Sequence, residues 1–292
     1  NILGLDQVAA KEWLTSKAGS KVYEMIFEGM LKKKFPGFDD TISAAWVVSK
    51  LAERKKGNLS TKPIGYLRGG FGRIAELMAS EIRRHGGRII LETDIHHHLP
   101  ENYDVVISSI PPPELLRHFG VPERYARYLG RVAFMSAIAV YFAVRDIQLL
   151  PQSFYDSYFF HDEWPFFRLT DYTRLDSSIA PQGQRLICAD AYVYQTDELW
   201  SRTDQDIVEI FSSGIDEFFE DFSRHIVWSK VLRYRYAESI CDIGYLANIG
   251  NIPNPLENLY LTGTYLTMPR SMEVAVRIGG ETANQLLREK HV

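Results

Sequence analysis

NLYLTGTYLTMPRSMEVAVRIGGETANQLLREKH, residues 258–291, carries the most specific local pattern of the chain. A short apolar strand, Leu259-Tyr260-Leu261, runs into a glycine turn at Gly263. A loop through Pro269 then reaches Ser271, a side chain suited to capping a helix, with Glu273 in the first turn where a carboxylate complements the helix dipole. The helix that follows carries Ala275, Gly279, Gly280 and Ala283 on one side. Strand, glycine turn and capped helix with a small-residue face together bring backbone close to a bulky anionic ligand. Nucleotide-binding domains usually open with such a unit, whereas here it stands at the C-terminal end.

Working outward, residues 64–110 have a related character. Gly69-Gly70-Phe71-Gly72 opens a helix from Arg73 to His85, Gly86-Gly87 stop it, and Arg88 to Glu92 read as an isoleucine-rich strand. YDVVISSI, residues 103–110, reads as a second strand broken by Pro111-Pro112-Pro113, and its apolar continuity suits a parallel strand covered on both faces. The glycine loop departs from both GxGxxG and the P-loop, so a tight strand-to-helix turn and an anion cradle both remain open there. Residues 5–35 carry Trp13, Leu14, Val22, Met25, Ile26, Met30 and Leu31 at helical spacing, with Asp6 as a cap. A helix from Asp40 to Lys55 follows. The charge runs Lys32–Lys34 and Arg54–Lys56 read as solvated helix ends.

From Pro122 onward the pattern changes. Phe134–Val144, Leu186–Val193 and Ile226–Tyr236 read as long strands, the last with Arg233, Tyr234, Arg235 and Tyr236 alternating two chemistries on two faces. Asp204–Phe222 is a strongly periodic helix. Phe166-Phe167-Arg168 and Asp171-Tyr172 form a polar and aromatic cluster, readable as core packing with a salt bridge or as the wall of a substrate pocket. A length of 292 residues allows a large core. A net charge of -4 gives no electrostatic footprint for nucleic acid. An aromatic content of 13% is compatible with a cavity for a flat or apolar ligand as well as with a plain aromatic core. Two cysteines, Cys188 and Cys241, make no metal spacing and at most one disulfide, which favours a reducing compartment. His96-His97-His98 alternate faces without a supporting carboxylate or cysteine, and no metal is expected. No apolar run reaches the length of a membrane span. The sequence begins in what reads as mid-domain, so a fragment, or a chain whose first part is not represented, is the expectation.

GYLRGGFGRIAELMASEIRRHGGRIILETDI, YDVVISSIPPPELL and NLYLTGTY...SMEVAVRIGGETANQLL, in this order, resemble the flavin-containing amine oxidase and protoporphyrinogen oxidase superfamily. WLTSKAGSKVYEMIFEGMLKKKFPG resembles the helical part of that family's substrate domain. The resemblance implies a mixed α/β (α+β) fold, in which an incomplete FAD-binding Rossmann-like layer (61–118 and 251–292) is interleaved with a substrate domain. That domain would comprise a helical part (1–60) and a mixed or antiparallel sheet with helices (119–250). It implies FAD as cofactor, with Asp94 and Ile95 at the adenine, and Gly263, Thr264, Ser271, Met272 and Glu273 at the pyrophosphate and isoalloxazine. Arg168 and Tyr172 are the expected substrate contacts, and no catalytic lysine is assigned.

Three departures accompany the resemblance. Thr264 stands where the family usually has an acidic or amide residue, the hairpin after Ile95 is shortened to HHHLPEN, and the N-terminal GxGxxG unit is absent. FAD binding by the chain as it stands is therefore expected to be weak or absent. The activity implied is hydride removal from a C–N or C–C bond of a small molecule, apolar or aromatic. A flavin-dependent isomerase or mutase of the same fold, and a non-catalytic binding or assembly relative, stand as alternatives. A cytoplasmic location, with peripheral membrane contact left open, and a homodimer complete the expectations.

Overall fold

The computed structural model describes residues 1–56, 65–93, 103–145, 155–161, 163–254 and 258–290. Asp94, Ile95 and the triple histidine lie outside the described residues. The N-terminal helical region is not one continuous rod. Helix α1 (Ala10–Ala18) ends at Gly19, whose φ of 86° favours glycine, and a π-helical segment, Tyr23–Glu28, leads into α2 (Gly29–Lys34). The wider π turn shifts the helical register. Leu14, Tyr23 and Leu31 face the core, while Met25 and Ile26, expected inside, are exposed. Helix α3 (Ala44–Lys56) follows, with Trp46 and Val47 buried. Asp6 does not cap this region. Its carboxylate accepts the amide of Ala247 and so serves the first turn of a distant helix, Tyr245–Gly250.

Helix α4 (Gly72–Arg84) is closed as expected, with Gly86 at φ 81° and the amide of Gly87 donating to the Ile82 carbonyl. The segment after it forms no strand. Ile90 and Leu91 are exposed, and no partner strand flanks them among the described residues, so the backbone ladder a strand needs is not made. Strand β1 (Val106–Ser108) is present and is followed by α5 (Pro112–His118), with proline at its start, and α6 (Glu123–Gly130).

A five-stranded antiparallel sheet comes next in the order β3-β4-β5-β2-β6. Its strands are β2 (Phe134–Arg145), β3 (Asp156–Tyr158), β4 (Arg168–Asp171), β5 (Gln184–Val193) and β6 (Ile226–Ser239). Helix α7 (Asp204–Asp216) starts with a Thr203/Asp206 capping box and ends short of the expected Phe222. It lays Ile207, Phe211 and Ile215 on the sheet face built by Ile138, Val140, Phe142, Ile187 and Ala189. The chain closes with α8 (Tyr245–Gly250), β7 (Leu259–Leu261) and α9 (Met272–Lys290).

Strand β7 pairs in parallel with β1, across a gap of about half the chain. This small sheet is not covered on both faces as expected. Ile107 on β1, Leu77, Met78 and Ile82 on α4, and Val276 on α9 are exposed. The small-residue side of α9 is open too, with nothing near a Cβ built at Gly279 or Gly280. A second core joins Leu14, Leu31 and Trp46 to Leu115 and Leu129, and to Leu259, Leu261 and Tyr265. The N-terminal helices, the β1 region and the C-terminal strand therefore share one interior.

Candidate functional site

Strand alternation sets the site. With β5 antiparallel to β2, Ala137, Ala139 and Tyr141 lie opposite Tyr192, Asp190 and Cys188 on the face turned away from α7. The two alanines contribute only a methyl each, so the sheet is hollow there. Tyr172 stacks beside Tyr141 with ring centroids 6.2 Å apart and planes 19° from parallel. Across the hollow, Tyr234, Tyr236 and Glu238 come from β6, next to a register shift between Met135 and Ala137. The far wall is the loop and helix start of the C-terminal unit, with Thr264, Arg270, Ser271, Met272 and Ala275. The result is a cavity of about 580 Å³.

Two ion pairs are built into its walls. Arg168 donates from Nε to Asp190 Oδ1 at 2.9 Å, and its Nη2 stands 2.7 Å from the same oxygen. Burial disfavours the Arg168 charge, yet the adjacent Asp190 outweighs it and holds the guanidinium protonated. Burial also raises the Asp190 pKa from its ordinary value, against the pull of Arg168. Lys34 Nζ lies 3.2 Å from Glu238 and beneath the rings of Phe35, Trp46 and Tyr192, at 5.6, 5.3 and 5.0 Å. The expectation that Lys34 sits at a solvated helix end is thus corrected. It faces inward because α2 ends against the sheet, whereas Lys32 on the open side pairs with Glu28. Burial pulls the Lys34 pKa down, but the Glu238 charge together with Tyr192 outweighs it and leaves the pKa above its ordinary value.

The hydroxyls stay protonated. Burial lifts Tyr141 strongly and Tyr172 to about 12, and it lifts the Cys188 thiol to about 12, which makes it a poor nucleophile. Tyr236 donates to Glu114 of α5, which also holds Arg117 at 2.7 Å. Cys188 and Cys241 are both free and buried. Among the described residues, no group of three or more histidine, cysteine or carboxylate side chains is placed to hold a metal. No described helix is long and apolar enough to cross a membrane.

Of the residues singled out in the sequence, Arg168, Tyr172, Thr264, Ser271 and Met272 meet around this one cavity. Gly263 does not line it. With φ 139° it turns the chain, and a Cβ there would meet the Tyr265 ring at 2.8 Å, so glycine is required by packing. Glu273 lies in the first turn of α9 and points to solvent. Ser271 caps as expected, its hydroxyl accepting the Val274 amide at 3.3 Å. The glycine loop at residues 69–72 does bind an anion, namely the chain's own Asp176, which accepts the Gly69 amide at 2.6 Å. Tyr141, Asp190, Tyr192, Glu238 and Arg270 escaped the sequence reading. The alternation Cys188, Asp190, Tyr192 against Ile187, Ala189, Ala191 was the available signal for the β5 residues.

The first turn of α9 suits an anionic, flat cofactor. With Val274 capped by Ser271, the amides of Met272 and Glu273 at the start of a nineteen-residue helix have no partners within the helix, Ala275 leaves room on the cavity side, and Arg270 adds a positive charge beside them.

The sequence matches no protein-family profile and no curated protein. The fold does match solved structures. Cyclohexylamine oxidase from Brevibacterium oxydans aligns with a TM-score of 0.71 at 14% identity, over 99% of this chain and 69% of that one. A protein described as a protoporphyrinogen oxidase, from an Exiguobacterium species, gives 0.70 at 16%, over 95% and 67%. Reduced UDP-galactopyranose mutase gives 0.66 at 15%, over 89% of this chain and 63% of the mutase. At these identities the likeness establishes the fold, and the chain spans about two thirds of the length of each.

Proposed function

We propose that this chain, which has the fold of the flavin-dependent amine oxidase and protoporphyrinogen oxidase superfamily, forms the substrate cavity and the isoalloxazine-side contacts of an FAD-dependent oxidoreductase. Its reaction is hydride removal from a C–N or C–C bond of a small molecule. One observation carries the reading. Thr264, Ser271 and Met272, from the end of the sequence, and Arg168 and Tyr172, from its middle, line a single cavity. A cofactor held by the first group is brought against a substrate held by the second.

The flavin, when bound, accepts the hydride; the protein supplies position and electrostatics. The N-terminal amides of α9 stabilise negative charge without a charged side chain. Thr264 contributes a hydroxyl where the family's usual acidic or amide residue would hold the cofactor more strongly. Arg168 and Asp190 fix one end of the cavity floor, and Tyr141 and Tyr172 form a side wall that orients a flat or alicyclic body and limits water.

In this reading residues 1–60 and 119–250 make the substrate domain, and 61–118 and 251–292 make the flavin layer. The exposed Leu77, Met78, Ile82 and Ile107 support packing of a dinucleotide-binding unit on that layer, where its strands would extend β1 and β7.

The test is anaerobic addition of candidate substrates to FAD-loaded protein. Bleaching of the visible flavin band is the expected result. Turnover that requires prior reduction of the flavin assigns the chain to the isomerase alternative, which the mutase-like fold keeps in view. A folded protein that takes up no flavin even when a dinucleotide-binding unit is supplied contradicts the reading.

A further inference from the structure

We propose that the tyrosine-lined cavity takes its substrate uncharged, with a neutral hydrogen-bonding group on the sheet floor and a bound ammonium excluded. This rests on the reading of the cavity as the substrate site, and narrows it to a chemical class: alcohols, carbonyl compounds, amides or un-ionised amines.

Four charged side chains border the cavity, namely Arg168, Asp190, Glu238 and Arg270. Both carboxylates are already paired with cations of the chain, each through one oxygen. The Asp190 side chain, 12% exposed, is held by two nitrogens of Arg168. The Glu238 side chain, 8% exposed, is held by Lys34, which is itself 13% exposed and boxed in by three rings. Neither lining carboxylate carries an uncompensated charge for an incoming cation. An ammonium that took over either carboxylate would have to displace Arg168 or Lys34, and displacing Lys34 strands a buried cation without its counter-ion, the costly way to break a buried pair. The remaining border charge, Arg270, is positive and makes no ion pair among the described residues, so it repels a cation at the mouth.

Ring faces attract cations, but three of the lining rings are already engaged on one face. Lys34 occupies the face of Tyr192, and Tyr141 and Tyr172 stack on each other. What the floor does offer is hydroxyl groups, each able to donate and to accept. A neutral polar group uses both capacities, and an ammonium can only donate.

Calorimetric titration of the chain at neutral pH with cyclohexanol and with cyclohexylamine isolates the charge, because both carry the same ring and only the second is protonated. Cyclohexanol is expected to bind roughly tenfold tighter or more, and Ala139→Leu, which fills the hollow, is expected to abolish its binding. Arg168→Met opens Asp190 and is expected to reverse the order. Lys34→Met opens Glu238 and serves the same purpose if the first variant does not fold. Tighter binding of cyclohexylamine to the wild type overturns the charge selection and leaves the substrate-site reading standing. Binding that ignores Ala139→Leu, or no binding of either probe, overturns the substrate-site reading itself.

Discussion

Asp6 shows how far a single side chain can act from its place in the sequence. Its position before an apolar-periodic segment reads as a local cap, yet the carboxylate is fully buried and accepts the Ala247 amide at 3.1 Å. Local spacing identifies a residue able to cap a helix, but not which helix tertiary packing brings to it. Asp6→Ala is expected to lower stability by about 1–2 kcal/mol, the usual range for a lost helix cap. A urea midpoint unchanged from wild type contradicts that role. Lys34 carries the same lesson with the opposite sign, since a charge run reads as solvated while its last member is taken inward by an acidic partner 204 residues later in the chain, Glu238. Glu114 allows a pH test. The hydrogen bond from Tyr236 holds its carboxyl below the ordinary 4.5, with burial opposing and Arg117 adding to the effect. A depressed folded-state pKa contributes stability that is complete above the unfolded value and is lost as pH falls through the folded one. The difference in Tm between wild type and Glu114→Gln should therefore hold from neutral pH down to about 4.5 and close below it. A difference that persists unchanged well below that range contradicts the assignment.

Among the elements, those that carry their own periodicity and caps were legible. The helices Gly72–Arg84 and Asp204–Asp216, the three long strands and the C-terminal strand-turn-helix all stand close to where apolar spacing places them. What failed was whatever depends on a neighbour. Arg88–Glu92 has the composition of a strand and no strand beside it, and the π segment Tyr23–Glu28 turns Met25 and Ile26 outward without a sequence signal. The cavity was half legible for the same reason. Arg168 and Tyr172, and the Thr264 to Met272 wall, were read from motif and cluster, while Tyr141 and Asp190 depend on the pairing register of β2 and β5. Two predictions belong to elements. Gly214 on α7 has no room for a side chain, since a Cβ would meet Pro165 at 2.8 Å and Phe166 at 3.2 Å. Gly214→Ala is expected to cost about 1–3 kcal/mol by overpacking, and a neutral or raised Tm contradicts the close approach of α7 to that loop. On α4, Leu77 is 59% exposed. In this chain Leu77→Glu should change stability by no more than about 0.5 kcal/mol, and a much larger loss means that the face is already covered.

At the scale of the molecule, the N-terminal helices, β1 and the C-terminal unit share one core, so the two ends of the chain are packed together rather than tethered. The five-stranded sheet presents its other face as the cavity, and the closing helix α9 brings its first turn to that cavity's edge. Under the proposed function this edge binds the isoalloxazine and phosphate end of FAD, opposite the tyrosine floor. Amide NMR of the chain during FAD titration tests it most directly, because the method registers weak binding and reports its place. The account predicts shifts concentrated at Thr264, Ser271 and Met272, with Tyr172 following. Shifts centred on the Gly69–Gly72 loop instead, or no shift at any of these amides at saturating FAD, contradict it.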